Sequence, residues 1–219
     1  MFCEEMLTKE IPTLTPKTKG SQALNIMGEI KIKYLPVIQE AKYLYLLSEK
    51  DLFEMNDLEE EIGNSYYYAP HVNKKTPVFE ILHIMSKDNL DYLPVINENG
   101  ELIGGVTLPL LIEKLDEICN AGSHGAIIGI EVNPQDYVLS RLVHLVESNN
   151  THVQSLFSYP VKETGKLILL LKVDLEDASP ILMSFERFNY TVRFYIQKQG
   201  LRDETMKKRL DELMYYIEM

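Results

Sequence analysis

Two cysteines, Cys3 and Cys119, are all that this chain of 219 residues contains, and they stand 116 positions apart. That is too few and too scattered for a disulfide framework. Basic charge is scarce as well: 22 Lys and Arg face 33 Asp and Glu, a net charge of −11. The deficit is uneven, −9 over residues 1–124 (11 basic against 20 acidic) and −2 over residues 125–219 (11 against 13). An acidic surface repels nucleic-acid phosphates, and no basic stripe offsets it, so a nucleic-acid partner is excluded. By the same reasoning an anionic ligand needs a local positive pocket. Long apolar runs are missing: none approaches the ~18 residues of a membrane helix. Met1 to Glu10 lacks the basic end and apolar stretch of a signal peptide, so the expectation is a cytoplasmic protein without membrane attachment.

Catalytic machinery is also missing. The five histidines, His71, His83, His124, His144 and His152, show no metal-ligand spacing, and Cys119, at the end of a helix, shows no nucleophile–base pair. Glu59-Glu60-Glu61 reads as a solvated face. There is no glycine-rich phosphate loop; Gly104-Gly105 is a single adjacent pair. The reading is therefore non-enzymatic, with no catalytic residue, no metal and no required cofactor.

What is present is a duplication. Ile26-Met27 followed by Tyr34-Leu35-Pro36-Val37-Ile38 returns 58 residues later as Ile84-Met85 followed by Tyr92-Leu93-Pro94-Val95-Ile96. Residues 11–38 and 69–96 agree at 11 of 28 positions, where chance gives roughly two. Each copy has the same order of signals: a short extended segment, a helix-period stretch, a Tyr-Leu-Pro-Val-Ile strand, a second strand and a closing helix. Those second strands fall at Lys42–Leu47 and Glu101–Val106, with helices from Glu49 onwards and over Pro109–Cys119. Asn97–Gly100 supplies one hairpin turn and Gln39-Glu40-Ala41 the other. The spacing divides the chain into repeat one at 1–62 and repeat two at 63–120. Tyr66-Tyr67-Tyr68 between them is expected to pack against the partner repeat.

After Asn120 the repeat does not resume. Residues 121–125 form a linker of small residues, and the pattern then reads strand, helix, strand, strand, helix, strand over 126–197. Gly165 closes the central hairpin, Pro134 suits the first turn of a helix from Gln135 to Asn149, and Asp174 stands where an N-cap for the second helix is useful. This is the βαββαβ, split βαβ order. In the last segment, 198–219, Met206, Leu210, Leu213, Met214 and Ile217 make one apolar helical face.

The repeated unit resembles the CBS domain, named for cystathionine β-synthase, and the pair resembles the tandem Bateman module. The resemblance rests on the helix ending in Met, the Leu-Pro-Val strand, and a strand running into Ser/Thr-x-x-Asp at a helix start. Here that last motif is Ser48-Glu49-Lys50-Asp51 after Tyr45-Leu46-Leu47, with Tyr45 where the family usually has glycine. In repeat two, Gly104-Gly105-Val106-Thr107 keeps glycine and hydroxyl, but Leu110 replaces the Asp. Residues 126–197 look like an ACT domain, although its ligand turn, Asn133-Pro134-Gln135-Asp136-Tyr137, lacks the family's glycine. The order CBS–CBS–ACT is similar to accessory proteins associated with acetoin utilisation, in architecture only. The expected fold is thus α+β: two pseudo-symmetric repeats of βαββα type packed as a pair, a ferredoxin-like ACT-like domain, and a C-terminal amphipathic helix.

The resemblance implies an adenine nucleotide or adenosine derivative between the repeats: AMP, ADP, ATP or S-adenosylmethionine. Asp51 would hold the ribose hydroxyls, Ser48 would sit among helix-start N–H groups that favour phosphate, and Tyr34-Leu35-Pro36 would line the base or phosphate side, with Thr13 and Thr107 completing the set. Lys31 and Lys33 are the nearby cations. Repeat two is the poorer site, because Leu110 cannot hold a ribose and Asp91 repels phosphate if it faces the cleft. The bland alternative is that Ser48 and Asp51 only cap a helix. Two further readings stay open: a ligand-free scaffold with Tyr45 filling the pocket, and an amino-acid sensor using Asn133, Gln135, Asp136 and Tyr137. A homodimer, and a metabolic enzyme as regulated partner, complete the expectation.

Overall fold

A computed structural model describes residues 1–64 and 68–197; the amphipathic face expected over 198–219 lies outside the described residues. The chain forms two compact units, Met1–Leu115 and Asp116–Met219. In the first, α1 (Gly20–Ile30), β1 (Tyr34–Gln39), β2 (Lys42–Ser48) and α2 (Glu49–Phe53) are answered by α3 (Val78–Lys87), β3 (Tyr92–Ile96), β4 (Leu102–Thr107) and α4 (Leu108–Cys119). Each strand pair is an antiparallel hairpin. Both carry a register shift at the same place, between Val37 and Ile38 and between Val95 and Ile96. The extended segments before α1 and α3 add a parallel bridge to each hairpin, Leu14 to Val37 and Val72 to Val95. Their hydrogen bonds repeat at the duplication offset: Leu14 N–H to Pro36 O and Ile38 N–H to Leu14 O, then Val72 N–H to Pro94 O and Ile96 N–H to Val72 O.

Apolar periodicity puts one face of each helix on its hairpin. Ala23 and Met27 of α1 pack with Leu14, Leu35, Val37, Tyr45, Leu47, Leu52 and Ile62 in the core of repeat one. Val78, Ile81 and Met85 of α3 are buried correspondingly in repeat two. The N-terminal leader is exchanged. Cys3 N–H bonds Thr76 O, and Thr8 and Gly105 exchange both backbone hydrogen bonds, so residues 1–8 lie on repeat two. The connection between repeats does the same for repeat one: Ile62 N–H bonds Thr18 O, and Leu46 N–H bonds Tyr68 O. The hairpin tips also pair across the pseudo-dyad, Tyr43 N–H to Gly100 O and Leu102 N–H to Ala41 O.

The second unit runs β5 (Ala126–Val132), α5 (Leu139–Glu147), β6 (Val153–Pro160), β7 (Leu167–Val173), α6 (Ser179–Arg187) and β8 (Thr191–Ile196). Its sheet has the order β6-β7-β5-β8, antiparallel throughout, with the two apolar strands in the middle. Leu142, Val146, Ile181 and Phe185 cover it from the helices. Two local expectations are corrected. The helix starts at Leu139, not Gln135, because Asn133 and Asp136 close a turn: Asp136 N–H bonds Asn133 O at 3.1 Å and Asn133 Nδ2 donates to Asp136 Oδ2 at 2.8 Å. Asp174 does not cap α6; it accepts from Thr151 Oγ1, and from His152 N–H at 2.7 Å, tying the start of β6 to the end of β7. Residues 120–123 are anchored within the second unit: the buried Lys172 ammonium donates to the carbonyls of Asn120 and Ala121, and Ser123 Oγ donates to Gln154 Oε1 at 2.6 Å.

Candidate functional site

The β1–β2 register sets Tyr34 opposite Ser48, the last residue of β2 and the N-cap of α2. Ser48 and Asp51 make a reciprocal cap. Ser48 Oγ accepts from Asp51 N–H at 3.1 Å, while Ser48 N–H and its hydroxyl both donate to Asp51 Oδ2, at 2.8 and 2.6 Å. Glu49 N–H is taken by Lys33 O at 2.8 Å. The cap bonds to the carboxylate are made through Oδ2.

The second repeat enters at this end of the hairpin. Lys33 N–H donates to Asp91 Oδ2 at 2.7 Å, and Tyr68 OH donates to Asp88 Oδ2 at 2.8 Å. Burial raises the Tyr34 phenol above its ordinary pKa, and the charges of Asp91, Asp51 and Asp88 raise it further. Burial likewise raises the Asp91 carboxyl; the Lys33 N–H and ammonium oppose the shift, and Glu49 adds to it. Asp91 Oδ1 is buried and has no hydrogen-bond partner among the described residues.

The other predicted residues lie elsewhere. Leu35 is fully buried in the core of repeat one, and Pro36 is buried beside it, its carbonyl holding Leu14. Thr13 lines a hollow of about 430 Å³ with Thr8, Lys9, Lys74, Tyr92 and Gly104. Thr107 pairs with Tyr92 at the start of α4, the repeat-two counterpart of Ser48 and Tyr34. Tyr45 is core, its hydroxyl donating to Gly63 O at 2.6 Å. A larger hollow, about 810 Å³, lies at the far tip of the β3–β4 hairpin, among His71, Lys74, Thr76, Asn97 and Ile103. Asp88 and Tyr68 were not foreseen from sequence. The duplication offset gave a partial signal for Asp91, since it aligns with Lys33 next to Tyr34. In the second unit, Asn133 and Asp136 line a polar hollow of about 290 Å³ with Glu131, Arg141 and Lys166. Glu131 is nearly buried there, held by Lys166 at 2.7 Å and Arg193 at 3.2 Å. Tyr137 packs on the core. Among the described residues no cluster of three or more His, Cys, Asp or Glu is arranged to hold a metal, and no helix is long and apolar enough to cross a membrane.

The first unit is thus a duplicated hairpin-and-helix unit with exchanged leaders and a Ser-x-x-Asp helix start in its first copy. Residues 3–56 and 68–117 each match the CBS domain family model. An uncharacterized protein of Methanocaldococcus jannaschii is 31% identical over 107 residues, 48% of this chain and 25% of that protein. The inosine-5'-monophosphate dehydrogenase of Thermoplasma acidophilum is 22% identical over 138 residues, 61% of this chain and 28% of the enzyme. The chain thus spans about a quarter of the length of these relatives. Among solved structures, a CBS domain pair/ACT domain protein from Thermotoga maritima is similar with a TM-score of 0.49 and 21% identity, over 53% of this chain and 98% of that one. CBSX2 in complex with AMP is similar with a TM-score of 0.47 and 22% identity, over 53% and 97%.

Proposed function

We propose that this protein is a non-enzymatic regulatory module that binds an adenosine-containing metabolite between its CBS repeats. The observation that carries the reading is the pairing of Tyr34 with Ser48, which Asp51 caps, next to the Lys33 N–H that donates to Asp91 of the other repeat. A ligand held there touches both repeats, so it favours one arrangement of the pair, and that shift is the signal. Such coupling is about 1–3 kcal/mol, enough to modulate a partner without switching it outright. Self-association fits the edge strand β8, which leaves Phe194, Tyr195 and Ile196 exposed.

The test is isothermal titration of the whole chain with AMP, ADP, ATP, adenosine and S-adenosylmethionine. Asp51→Asn keeps an acceptor for the Ser48 N–H but loses the charge that holds a ribose; Lys50→Ala, which removes only an exposed ion pair with Glu54, is the control. Binding of any of the five that survives Lys50→Ala and fails in Asp51→Asn supports the reading. Silence from all five at millimolar concentration rejects it.

A second reading rests on the second unit, where the βαββαβ order resembles an ACT domain and the hollow beside Glu131 brings Asp136, Arg141 and Lys166 together. An amino acid would set its carboxylate on Arg141 and its ammonium on Asp136. Amino-acid binding retained in Asp51→Asn and lost in Arg141→Ala would favour it.

A further inference from the structure

We infer that the groove between α6 and β8 in the second unit is the seat of residues 202–219 of the same chain, docked through their apolar face. The inference is independent of any ligand and goes beyond the adenosine reading. It rests on the groove, on where the chain leaves it, and on the pattern of the residues that follow.

The groove encloses about 800 Å³. Its floor is Leu182, Tyr190 and Val192, half-buried and packed on the core of the unit. Its walls are Met183 of α6, 64% exposed, and Tyr195 of β8, 51% exposed. Val192 and Tyr195 stand opposite Ile130 and Ile128, two side chains of the core beneath the helices, so the groove lies on the helix side of the sheet. Large apolar side chains lining one continuous groove mark a surface that is covered by another element or a partner. Edge-to-edge pairing of β8 with a second copy adds a strand in the plane of the sheet and leaves Met183 bare.

The chain is delivered to this groove. Gln197, the residue after β8, accepts from Ala178 N–H through Oε1 at 3.1 Å, which fixes the exit beside Ser179 at the start of α6. Residues 198–201 then provide a connection of ordinary length, with Gly200 suited to a reversal. Residues 202–219 lie outside the described residues, and their sequence carries the argument. At helical spacing Met206, Leu210, Leu213, Met214 and Ile217 fall within an arc of about 100°, and Lys207, Lys208, Asp211 and Glu212 fall outside it. A helix from Met206 to Ile217 spans about 17 Å, between about 14 Å for the nine residues of α6 and about 20 Å for the six of β8. The stripe thus matches the groove in length and in apolar character, and a short connection brings it there.

The test is thiol accessibility in the whole chain, with Cys119→Ser removing the half-exposed native cysteine and Cys3 fully buried. Met183→Cys places one thiol on a wall of the groove, and Tyr195→Cys on the other wall is the second probe; circular dichroism confirms folding. Each probe is labelled with a thiol reagent, alone and combined with Leu210→Asp and Leu213→Asp together. A docked segment slows labelling at both positions, and the paired aspartates should speed it at least about tenfold at every protein concentration. Equal rates with and without the aspartates overturn the inference, because the groove is then open or covered by something other than this stripe. Protection that disappears on dilution, together with a fall in mass by light scattering, also overturns it, since the occupant is then a second copy. Either probe decides by itself, so one variant that fails to fold does not remove the test.

Discussion

Asp91 carries two roles that can be separated by pH. Its folded pKa is raised by burial, so its contribution to stability is present in full below the unfolded value, about 3.9 for an aspartate, and is lost as pH rises through the folded value. Asp91→Asn keeps an acceptor for the Lys33 N–H and has no charge to desolvate. Its melting temperature should exceed that of the unmodified protein near neutral pH, and the difference should shrink as pH is lowered toward about 4; a variant that melts lower at neutral pH would show that the carboxylate is stabilising. The two cysteines offer a second contrast. Cys3 is fully buried, and burial with the neighbouring Glu4 pushes its thiol up to about 11, whereas Cys119 is partly exposed. A thiol reagent at mildly alkaline pH should label Cys119 in the native protein and Cys3 only on unfolding. Equal labelling rates would mean that the leader detaches readily.

The two hairpins are equivalent elements closed by unequal turns. Asn97–Gly100 uses Asn97 Oδ1 to accept from Asn99 and Glu101 N–H, with Gly100 in the left-handed region at φ 78°. The turn of repeat one puts Glu40 and Ala41 there, at φ 50° and 70°, without the residues that tolerate it. The strain is retained because Ala41 O receives Leu102 N–H across the pseudo-dyad. Glu40→Asn combined with Ala41→Gly should raise the unfolding free energy by about 1 kcal/mol, read from urea denaturation; no gain would mean that the tip pairing sets this backbone whatever its residues. These strands were legible from the Tyr-Leu-Pro-Val-Ile runs. The late start of α5 was not, because the periodicity of Leu139, Leu142 and Val146 says nothing about a turn closed by Asn133 and Asp136 side chains just ahead of it.

In the first unit as a whole, exchange of the leaders makes each repeat depend on chain that precedes the other. Residues 1–8 bury Cys3 and Met6 and complete the edge of β4 at Gly104 and Gly105, where a side chain would strike Thr8 O or the Tyr92 ring. Deleting residues 1–8 should therefore cost several kcal/mol, since each buried apolar side chain contributes about 1.5–3 kcal/mol. Scanning calorimetry should show it as a drop of the corresponding transition. An unchanged profile would show that the leader is dispensable. The contiguous repeats visible in the sequence and the units that pack in space thus differ by exchanged leaders, which no pattern within one repeat could disclose.

The duplication, the element order of both halves and the helix cap at Ser48 and Asp51 follow from local chemistry: strand and helix periodicities, turn residues and a hydroxyl three positions before a carboxylate act between near neighbours in the chain, so they can be read without a fold. The surroundings of Asp91 were decided by packing. Leu35 and Lys33 flank Tyr34 in sequence, yet the Leu35 side chain is sealed in the core while the Lys33 N–H donates to the carboxylate of Asp91, 58 residues away. An aspartate in a sequence is equally suited to a solvated helix end and to a buried cleft. Only the packing of one repeat on the other selects between them, by taking its carboxylate out of water and placing it beside a particular neighbour.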